Sequence, residues 1–190
     1  MIIVGVGIGP GMMTKEAEKA IARARLIYGS RRAIELAREH ISPDSQVLEI
    51  EDYKSLCSLP EHAVVLSTGD PMLSGLGYLP GKVIPGISSL QVACARLKIS
   101  ELNVVPITVH GRKMDPEAIA SELARNRSVF LLTDDRTDLE GLCRQLEEKG
   151  LNLSVIALSD LGYPQEKIVI GSTSSPPKAP GLSCVLIGRL

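Results

Sequence analysis

Short apolar runs alternate along the chain with helical patterns of apolar and polar residues, which is typical of α/β proteins. The first run, Ile2–Val6, predicts a strand, and Ala63–Ser67 is apolar enough for a strand buried on both faces. The helix between them carries an apolar stripe of Ala17, Ala20, Ile21 and Ala24. Further elements of the first half are strands at Leu26–Tyr28, Gln46–Ile50 and Lys82–Ile84, and helices at Arg31–Glu39 and after Ser88 or Ser89. The alternation predicts a mostly parallel first sheet.

The pattern restarts around residues 100–104, and we therefore predict two lobes, residues 1–103 and 104–190. Elements predicted in the second lobe are strands Val105–Val109, Ser128–Leu132, Ser154–Leu158, Lys167–Ile170 and Cys184–Ile187, with helices Glu117–Ala124 and Leu139–Leu146. Since no helix separates the last three strands, we expect an antiparallel meander and hence a mixed or antiparallel second sheet. Gly171–Gly181 is predicted to be a polar, proline-rich loop.

The composition bounds the kind of partner. Hydrophobic residues make up 44% of the 190 residues but aromatic residues only 3%, so little is available for stacking on nucleic-acid bases. A net charge of −1 does not suit a surface that neutralises phosphates. The amino terminus is apolar but breaks into glycines within five residues, so we expect neither a signal peptide nor a membrane span, and a cytoplasmic location.

The four cysteines form no C-x-x-C pair, so neither a zinc site nor a disulfide framework is indicated. We expect no metal site. Cys94 and Cys143 lie on apolar helical faces and are interpreted as small buried hydrophobic residues.

The glycine-rich segment "VGVGIGPG", Val4–Gly11, raises the possibility of a phosphate-binding loop. A dinucleotide fingerprint needs a third glycine where the helix opens, and Pro10 or Met12 occupies that position. A Walker-type loop needs Gly-Lys-Ser/Thr, and Lys15 is followed by Glu16. The segment is therefore interpreted as a stiff turn that brings backbone close to another group.

Three loops follow the carboxyl ends of predicted strands, where ligands bind in open parallel sheets. They are the segment Gly7–Gly11, "STGDPMLSG" at Ser67–Gly75, and "PGISS" at Pro85–Ser89. Each alone is ordinary turn chemistry. Together they offer accessible backbone groups with few charges, which suits a ligand that is polar but carries no polyphosphate.

Four motifs in order give the chain a family resemblance: the glycine-proline segment Val4–Gly11, G-D-P at Gly69–Pro71, P-G-I-S-S at Pro85–Ser89 and H-G-R at His110–Arg112. The chain resembles the tetrapyrrole (corrin/porphyrin) methylases, which use S-adenosyl-L-methionine to methylate carbons of uroporphyrinogen and the precorrins. Within the family it looks most like the enzymes that methylate carbon 5 of precorrin-7 or cobalt-precorrin-7, on its short length, the segment "VHGR", "LLTDD" at Leu131–Asp135 and "LSDLGYPQEKI" at Leu158–Ile168. The resemblance implies two α/β lobes with an active cleft between them, usually in a homodimer, and a possible separate partner that decarboxylates and methylates carbon 15.

The resemblance also implies site residues. Cofactor-binding residues carried over by motif are Pro10, Gly69, Asp70, Leu73, Ser88, Ser89, Leu132 and Asp160, the last within the Leu158–Gly162 loop. Asp70 would hold the amino or ribose groups of the cofactor, or alternatively is a turn residue that bonds its own backbone. Release of S-adenosyl-L-homocysteine would accompany each methylation.

A polycarboxylate acceptor calls for basic residues, and Arg112 is the preferred candidate because guanidinium pairs with carboxylate in a bidentate manner. The arginines between Arg23 and Arg38 are interpreted as a solvated helix face. His110 is either the proton acceptor from the methylated ring carbon or a neutral histidine packed between the two predicted lobes.

Two alternatives stay open. The same fold methylates other acceptors, as in other precorrin methylases, diphthine synthase and a ribosomal-RNA methyltransferase family. A protein with the same loops could also be a non-catalytic nucleoside-binding module, which would bind S-adenosyl-L-methionine without turnover.

Overall fold

The computed structural model describes residues 1–178 and 183–189. The chain divides into two compact units, Met1–Ser89 and Leu90–Leu190, which are described separately below. The sequence-based boundary between residues 103 and 104 stays a prediction. Part of the predicted Gly171–Gly181 loop, residues 179–182, lies outside the described residues.

The first unit contains strands β1 Ile2–Gly5, β2 Leu26–Gly29, β3 Gln46–Glu49, β4 Val64–Ser67 and β5 Lys82–Ile84, and helices α1 Lys15–Arg23, α2 Arg31–Ala37 and α3 Pro71–Ser74. The strand order is β3-β2-β4-β1-β5, and every pair is parallel. The predicted parallel first sheet is therefore confirmed. Two serine or threonine caps start the helices: Thr14 accepts a hydrogen bond from the Ala17 amide at 3.2 Å and Ser30 accepts one from Ala33 at 3.3 Å.

Helices and loops cover both faces of this sheet. Val4 and Leu66 pack with α1 and α2 on one face, whereas Ile3 and Val65 pack on the other face with Leu76 of the segment that joins β4 to β5. The connection that leaves β1 and the one that leaves β4 therefore run on opposite faces, although the two strands are neighbours.

The second unit contains strands β6 Val104–Thr108, β7 Ser128–Leu132, β8 Ser154–Ser159, β9 Lys167–Ser172 and β10 Ser183–Gly188, and helices α4 Ser89–Leu97, α5 Pro116–Ala124 and α6 Leu139–Glu148. Helix α4 begins at the division between the units. Helices α5 and α6 pack on one face of the sheet around a core that includes Ile119, Leu142, Val129 and Val185.

The second sheet has the order β6-β7-β10-β8-β9, in which only β6 and β7 are parallel among the strand pairs of the described residues. The predicted mixed sheet is confirmed, and with it the α/β fold class. The simple meander was wrong, because β10 pairs with β7 and β8 and not with β9. Burial explains the order: β10 is buried along almost its whole length, which suits a central strand, whereas Ile170 of β9 is 70% exposed, as at an edge.

Candidate active site

The carboxyl ends of β1 and β4 form the point in the first sheet where neighbouring strands send their connections to opposite faces. Such a point opens a crevice outside the sheet, and ligands of open α/β sheets bind there. The loop after β1 and the loop after β4 meet at this crevice. The amide of Gly69 donates to the Gly7 carbonyl at 2.8 Å, and the amide of Gly7 donates back to Gly69 at 3.3 Å.

The loop after β5 joins these two through close backbone packing. A β-carbon on Gly5 would lie 2.5 Å from the Gly86 nitrogen and 2.8 Å from the Gly69 carbonyl oxygen. A β-carbon on Gly86 would overlap that same oxygen. Both positions therefore require glycine, because the atoms that a β-carbon would meet belong to the backbone and cannot move aside as a flexible side chain could. The three motif loops form one interlocked backbone surface.

Asp70 fastens this surface with both carboxylate oxygens. Oδ1 accepts a hydrogen bond from the Met72 amide at 2.7 Å and so caps α3, whose first residue is Pro71. Oδ2 accepts from the Gly86 amide at 3.0 Å, in the loop after β5. Asp70 is thus a turn residue that also bonds across to a second loop. Each carboxylate oxygen can accept a further bond, so capacity for a ligand remains.

The other residues predicted in the first unit lie in these same loops. Pro10 is exposed, Leu73 of α3 is half-buried, and Ser88 is buried with 5% exposure. Ser89 begins α4. The structure therefore brings the predicted segments together, while ligand binding by the individual residues stays a prediction.

Arg32 corrects the interpretation of the Arg23–Arg38 segment as a solvated face. Its Nη2 atom donates to the Ile8 carbonyl at 2.9 Å, so α2 supports the loop after β1. Arg25 and Arg31 fit the solvated interpretation, because their ion pairs with Asp44 and Glu49 are exposed. No sequence signal distinguishes Arg32 from its neighbours.

The second group of predicted residues lies at one edge of the second sheet. Strands β6, β7 and β8 end at this edge, and β10 begins there with Ser183. Ser183 ties the ends together: its carbonyl accepts from the Thr133 hydroxyl at 2.7 Å, and its own hydroxyl lies 2.9 Å from that of Ser159. His110, Arg112, Leu132 and Asp160 belong to the segments that leave this edge.

The turn containing His110 is held against the end of β7. The amides of Val109 and His110 both donate to the Leu132 carbonyl at 3.0 Å, and His110 Nδ1 lies 3.3 Å from the Thr133 carbonyl. A carbonyl can only accept, so this contact is a hydrogen bond when Nδ1 carries the proton. In the neutral ring Nε2 then keeps its lone pair. His110 is exposed, and its role as proton acceptor stays a prediction.

Asp134 braces that turn from the opposite side and was missed by the sequence analysis as a site residue. Its Oδ2 accepts from the Gly111 amide at 2.8 Å, and its Oδ1 accepts from the Arg136 amide at 2.9 Å and the Thr137 hydroxyl at 3.2 Å. These bonds, led by the one from Gly111, hold the pKa of Asp134 below its ordinary value. The motif "TDD" ahead of a helix is common turn chemistry, so spacing alone could not single it out.

Asp160 lies in a strained turn after β8. Its φ of 50° is in the left-handed region, which aspartate tolerates better than most residues. Glu166 holds the turn by accepting from the Gly162 amide at 2.8 Å, and Arg96 binds the same carboxylate at 2.7 Å. Partial burial acts to raise the pKa of Glu166, but the bonds from Arg96 and Gly162 outweigh it, and the pKa lies below its ordinary value.

Within residues 1–178 and 183–189, no group of three or more histidine, cysteine, aspartate or glutamate side chains could hold a metal ion. No helix in this part of the chain has the length and apolar character that crossing a membrane requires.

The known proteins that this chain matches point to the family that the motifs indicate. Residues 1–177 match the family of tetrapyrrole (corrin/porphyrin) methylases. A probable cobalt-precorrin-7 C(5)-methyltransferase from Methanocaldococcus jannaschii is 31% identical over 192 residues, covering 88% of this chain and 87% of that protein. A cobalamin-biosynthesis precorrin-6Y methylase from Archaeoglobus fulgidus has a crystal structure with 30% identity and a TM-score of 0.78, covering 100% of this chain and 98% of the other.

A more distant structure shares the fold. The uroporphyrin-III C-methyltransferase from Thermus thermophilus, complexed with S-adenosylhomocysteine, has 18% identity and a TM-score of 0.76, covering 98% of this chain and 91% of the other. The resemblance inferred from the four motifs is confirmed by the family match.

Proposed function

Because this chain belongs to the tetrapyrrole (corrin/porphyrin) methylases and is a methyltransferase, we propose that it transfers a methyl group from S-adenosyl-L-methionine to carbon 5 of precorrin-7 or cobalt-precorrin-7. The relative from M. jannaschii supports this acceptor through its name, at 31% identity. The precorrin-6Y methylase from A. fulgidus supports the same stage of corrin assembly. A homodimer and a separate partner that decarboxylates and methylates carbon 15 remain part of the proposal.

The observation that carries the proposal is the interlocked backbone surface at the ends of β1, β4 and β5. None of its three segments, Val6–Pro10, Ser67–Pro71 and Pro85–Ser89, contains lysine or arginine. The Arg32 guanidinium reaches the first segment but donates to the Ile8 carbonyl, so the surface suits a nucleoside without phosphates. Asp70 keeps acceptor capacity for an amino or hydroxyl group. These features fit S-adenosyl-L-methionine, with Pro10, Gly69, Asp70, Leu73, Ser88 and Ser89 as the residues that would hold it from the first unit.

S-adenosyl-L-methionine would supply an activated methyl group, so positioning can provide most of the rate acceleration. Well-oriented reactants gain roughly 7–11 kcal/mol from positioning alone. Leu132 and Asp160 would complete the donor site from the second unit, and the cleft between lobes remains an expectation. His110 would accept the proton from the methylated ring carbon at Nε2, which the hydrogen bond at Nδ1 leaves unprotonated in the neutral ring.

Anaerobic turnover with several acceptors tests the proposal. The purified chain is incubated with S-adenosyl-L-methionine and precorrin-7, cobalt-precorrin-7 or uroporphyrinogen III, and S-adenosyl-L-homocysteine and methylated product are measured by mass spectrometry. We expect both products with a precorrin-7 acceptor. Turnover only with uroporphyrinogen III would refute the acceptor. Donor binding without turnover on any acceptor would favour the nucleoside-binding module.

A further inference from the structure

A depression of about 400 Å³ lies in the second unit between the turn that follows β6 and the turn that precedes α6. Three cationic residues line it: Arg112 and Lys113 from the first turn and Arg136 from the second. Its acidic residues are Asp134 and Asp138. All of its lining residues belong to segments that leave the same edge of the sheet as His110.

The three cations are available to a ligand. Among the described residues, none of Arg112, Lys113 and Arg136 forms an ion pair. Arg96, in the same unit, instead binds Glu166 at 2.7 Å. Unpaired arginines that converge on a depression can bind an anion in a bidentate manner.

The two acids are already engaged by the backbone. Asp134 accepts from the amides of Gly111 and Arg136, and so connects the two walls of the depression. Asp138 caps α6 by accepting from the Gly141 amide at 2.8 Å. Their carboxylates therefore organise the walls, and the cations outnumber them by one.

We propose that this depression binds a peripheral carboxylate of the tetrapyrrole through Arg112 and Arg136, and that Asp134 is the positioning residue that fixes both arginine-bearing turns. The inference rests on the proposed function, since it assigns the acceptor's carboxylates to a defined place beside His110. The methionyl carboxylate of the donor has the same chemistry, so the test must separate the two sources.

Binding of two soluble corrins distinguishes recognition of the carboxylate charge from recognition of the ring. Cobyrinic acid carries free carboxylates, whereas cobinamide carries amides on a similar ring. Both are titrated into the wild-type chain, Arg136→Gln and the matched control Arg144→Gln, which removes an exposed arginine of α6 outside the depression. Binding of S-adenosyl-L-homocysteine is measured in parallel by calorimetry.

We expect Arg136→Gln to weaken cobyrinic acid binding about two- to fivefold, the range typical of an exposed charge pair. Cobinamide and S-adenosyl-L-homocysteine should bind as in the wild type, and Arg144→Gln should change none of the three. The difference should shrink at high salt, because exposed charges are screened. Equal loss for cobinamide, equal loss with Arg144→Gln, or a loss confined to S-adenosyl-L-homocysteine would each overturn the proposal.

Asp134→Asn tests the positioning role. An amide cannot accept on both sides, so one turn should lose its support and cobyrinic acid should bind about two- to fivefold more weakly, as in Arg136→Gln. In turnover assays KM for the acceptor should rise, because the two arginine-bearing turns lose their fixed positions. A fall in kcat with KM unchanged would overturn this role. The corrin titrations need no turnover, so failed methyl transfer would refute the proposed function and leave the carboxylate subsite separately testable.

Discussion

Asp70 carries two hydrogen bonds that serve different purposes. The bond from Met72 is local and caps one turn of helix, whereas the bond from Gly86 connects loops that are 16 residues apart in the chain. Loss of the second bond leaves the amide of the buried Gly86 without its partner, and an unsatisfied buried amide costs about 1–3 kcal/mol. Asp70 therefore contributes to stability as well as to the surface proposed for the donor.

We expect Asp70→Ala to lower the free energy of unfolding by about 1–3 kcal/mol and to weaken binding of S-adenosyl-L-methionine, because the loop after β5 is released. Chemical denaturation and calorimetry measure the two effects. Asp52→Ala is the matched control: Asp52 is exposed and its carboxylate accepts a local bond from the Lys54 amide, so the effect should stay within about 0.5 kcal/mol. Unchanged donor affinity in Asp70→Ala would remove Asp70 from the site.

For single residues, the sequence predicted local turn roles better than hydrogen-bond partners from distant segments. The aspartate in a Gly-Asp-Pro turn was expected either to bond its own backbone or to bind a ligand, and the structure adds a bond to Gly86. Asp134 was passed over because its role depends on Gly111, which is 23 residues away in the chain. Contacts of this kind are set by strand order, which single residues do not encode.

Among the structural elements, the turn after β8 is held by one carboxylate. Glu166 bonds the Gly162 amide inside the turn and the Arg96 guanidinium from α4. The turn contains Asp160 with a φ of 50°, a conformation that persists only when its surroundings enforce it. Ionised Glu166 thus stabilises the segment that contains Asp160, which we propose as part of the donor site.

The pKa of Glu166 lies below its ordinary value of 4.5, so its contribution to stability is complete above that value and is lost as the pH falls through the lowered pKa. We expect Glu166→Gln to be less stable than the wild type by about 0.5–1 kcal/mol at pH 7. The difference should diminish steadily below about pH 4.5, because the wild-type carboxylate is then protonated.

Urea denaturation between pH 3 and 7 provides the measurement, at pH values roughly one unit apart near the transition. Glu148→Gln is a suitable control, since Glu148 is an exposed residue at the end of α6. A stability difference that stayed constant across the whole pH range would show that the loss is steric and not electrostatic.

The positions of the strands in the chain could be predicted, but their order in the second sheet could not. The strands were located within a few residues because their apolar runs are short and bounded by turns, and Ser128–Leu132 matches β7 at both ends. The position of β10 between β7 and β8 was not predicted, since succession along the chain favours a meander. Helix α3 was also missed, because one turn capped by Asp70 has no periodic stripe.

For the whole molecule, the parallel first sheet and the mixed second sheet could be predicted from the order of strands and helices. The family could be predicted because four motifs in order constrain a fold more strongly than any one of them. The contacts of the proposed donor site could not, since they join loops that are far apart in the chain, as in the hydrogen bond from the Gly86 amide to Asp70. Linkage supplies a test that needs no acceptor. A ligand that binds only the folded chain adds about 2.7 kcal/mol to stability at a concentration one hundred times its dissociation constant.

We therefore expect S-adenosyl-L-methionine and S-adenosyl-L-homocysteine to raise Tm with a logarithmic dependence on concentration. ATP shares the adenosine group but carries phosphates in place of the amino-acid portion, and the three donor loops contain no lysine or arginine to form charge-assisted bonds with them. Differential scanning calorimetry with each ligand compares the shifts, with adenosine as the control for the shared group. A shift from ATP as large as that from S-adenosyl-L-methionine would contradict the proposed donor site, because it would mean that the chain recognises adenosine without regard to the amino-acid portion that S-adenosyl-L-methionine and S-adenosyl-L-homocysteine share.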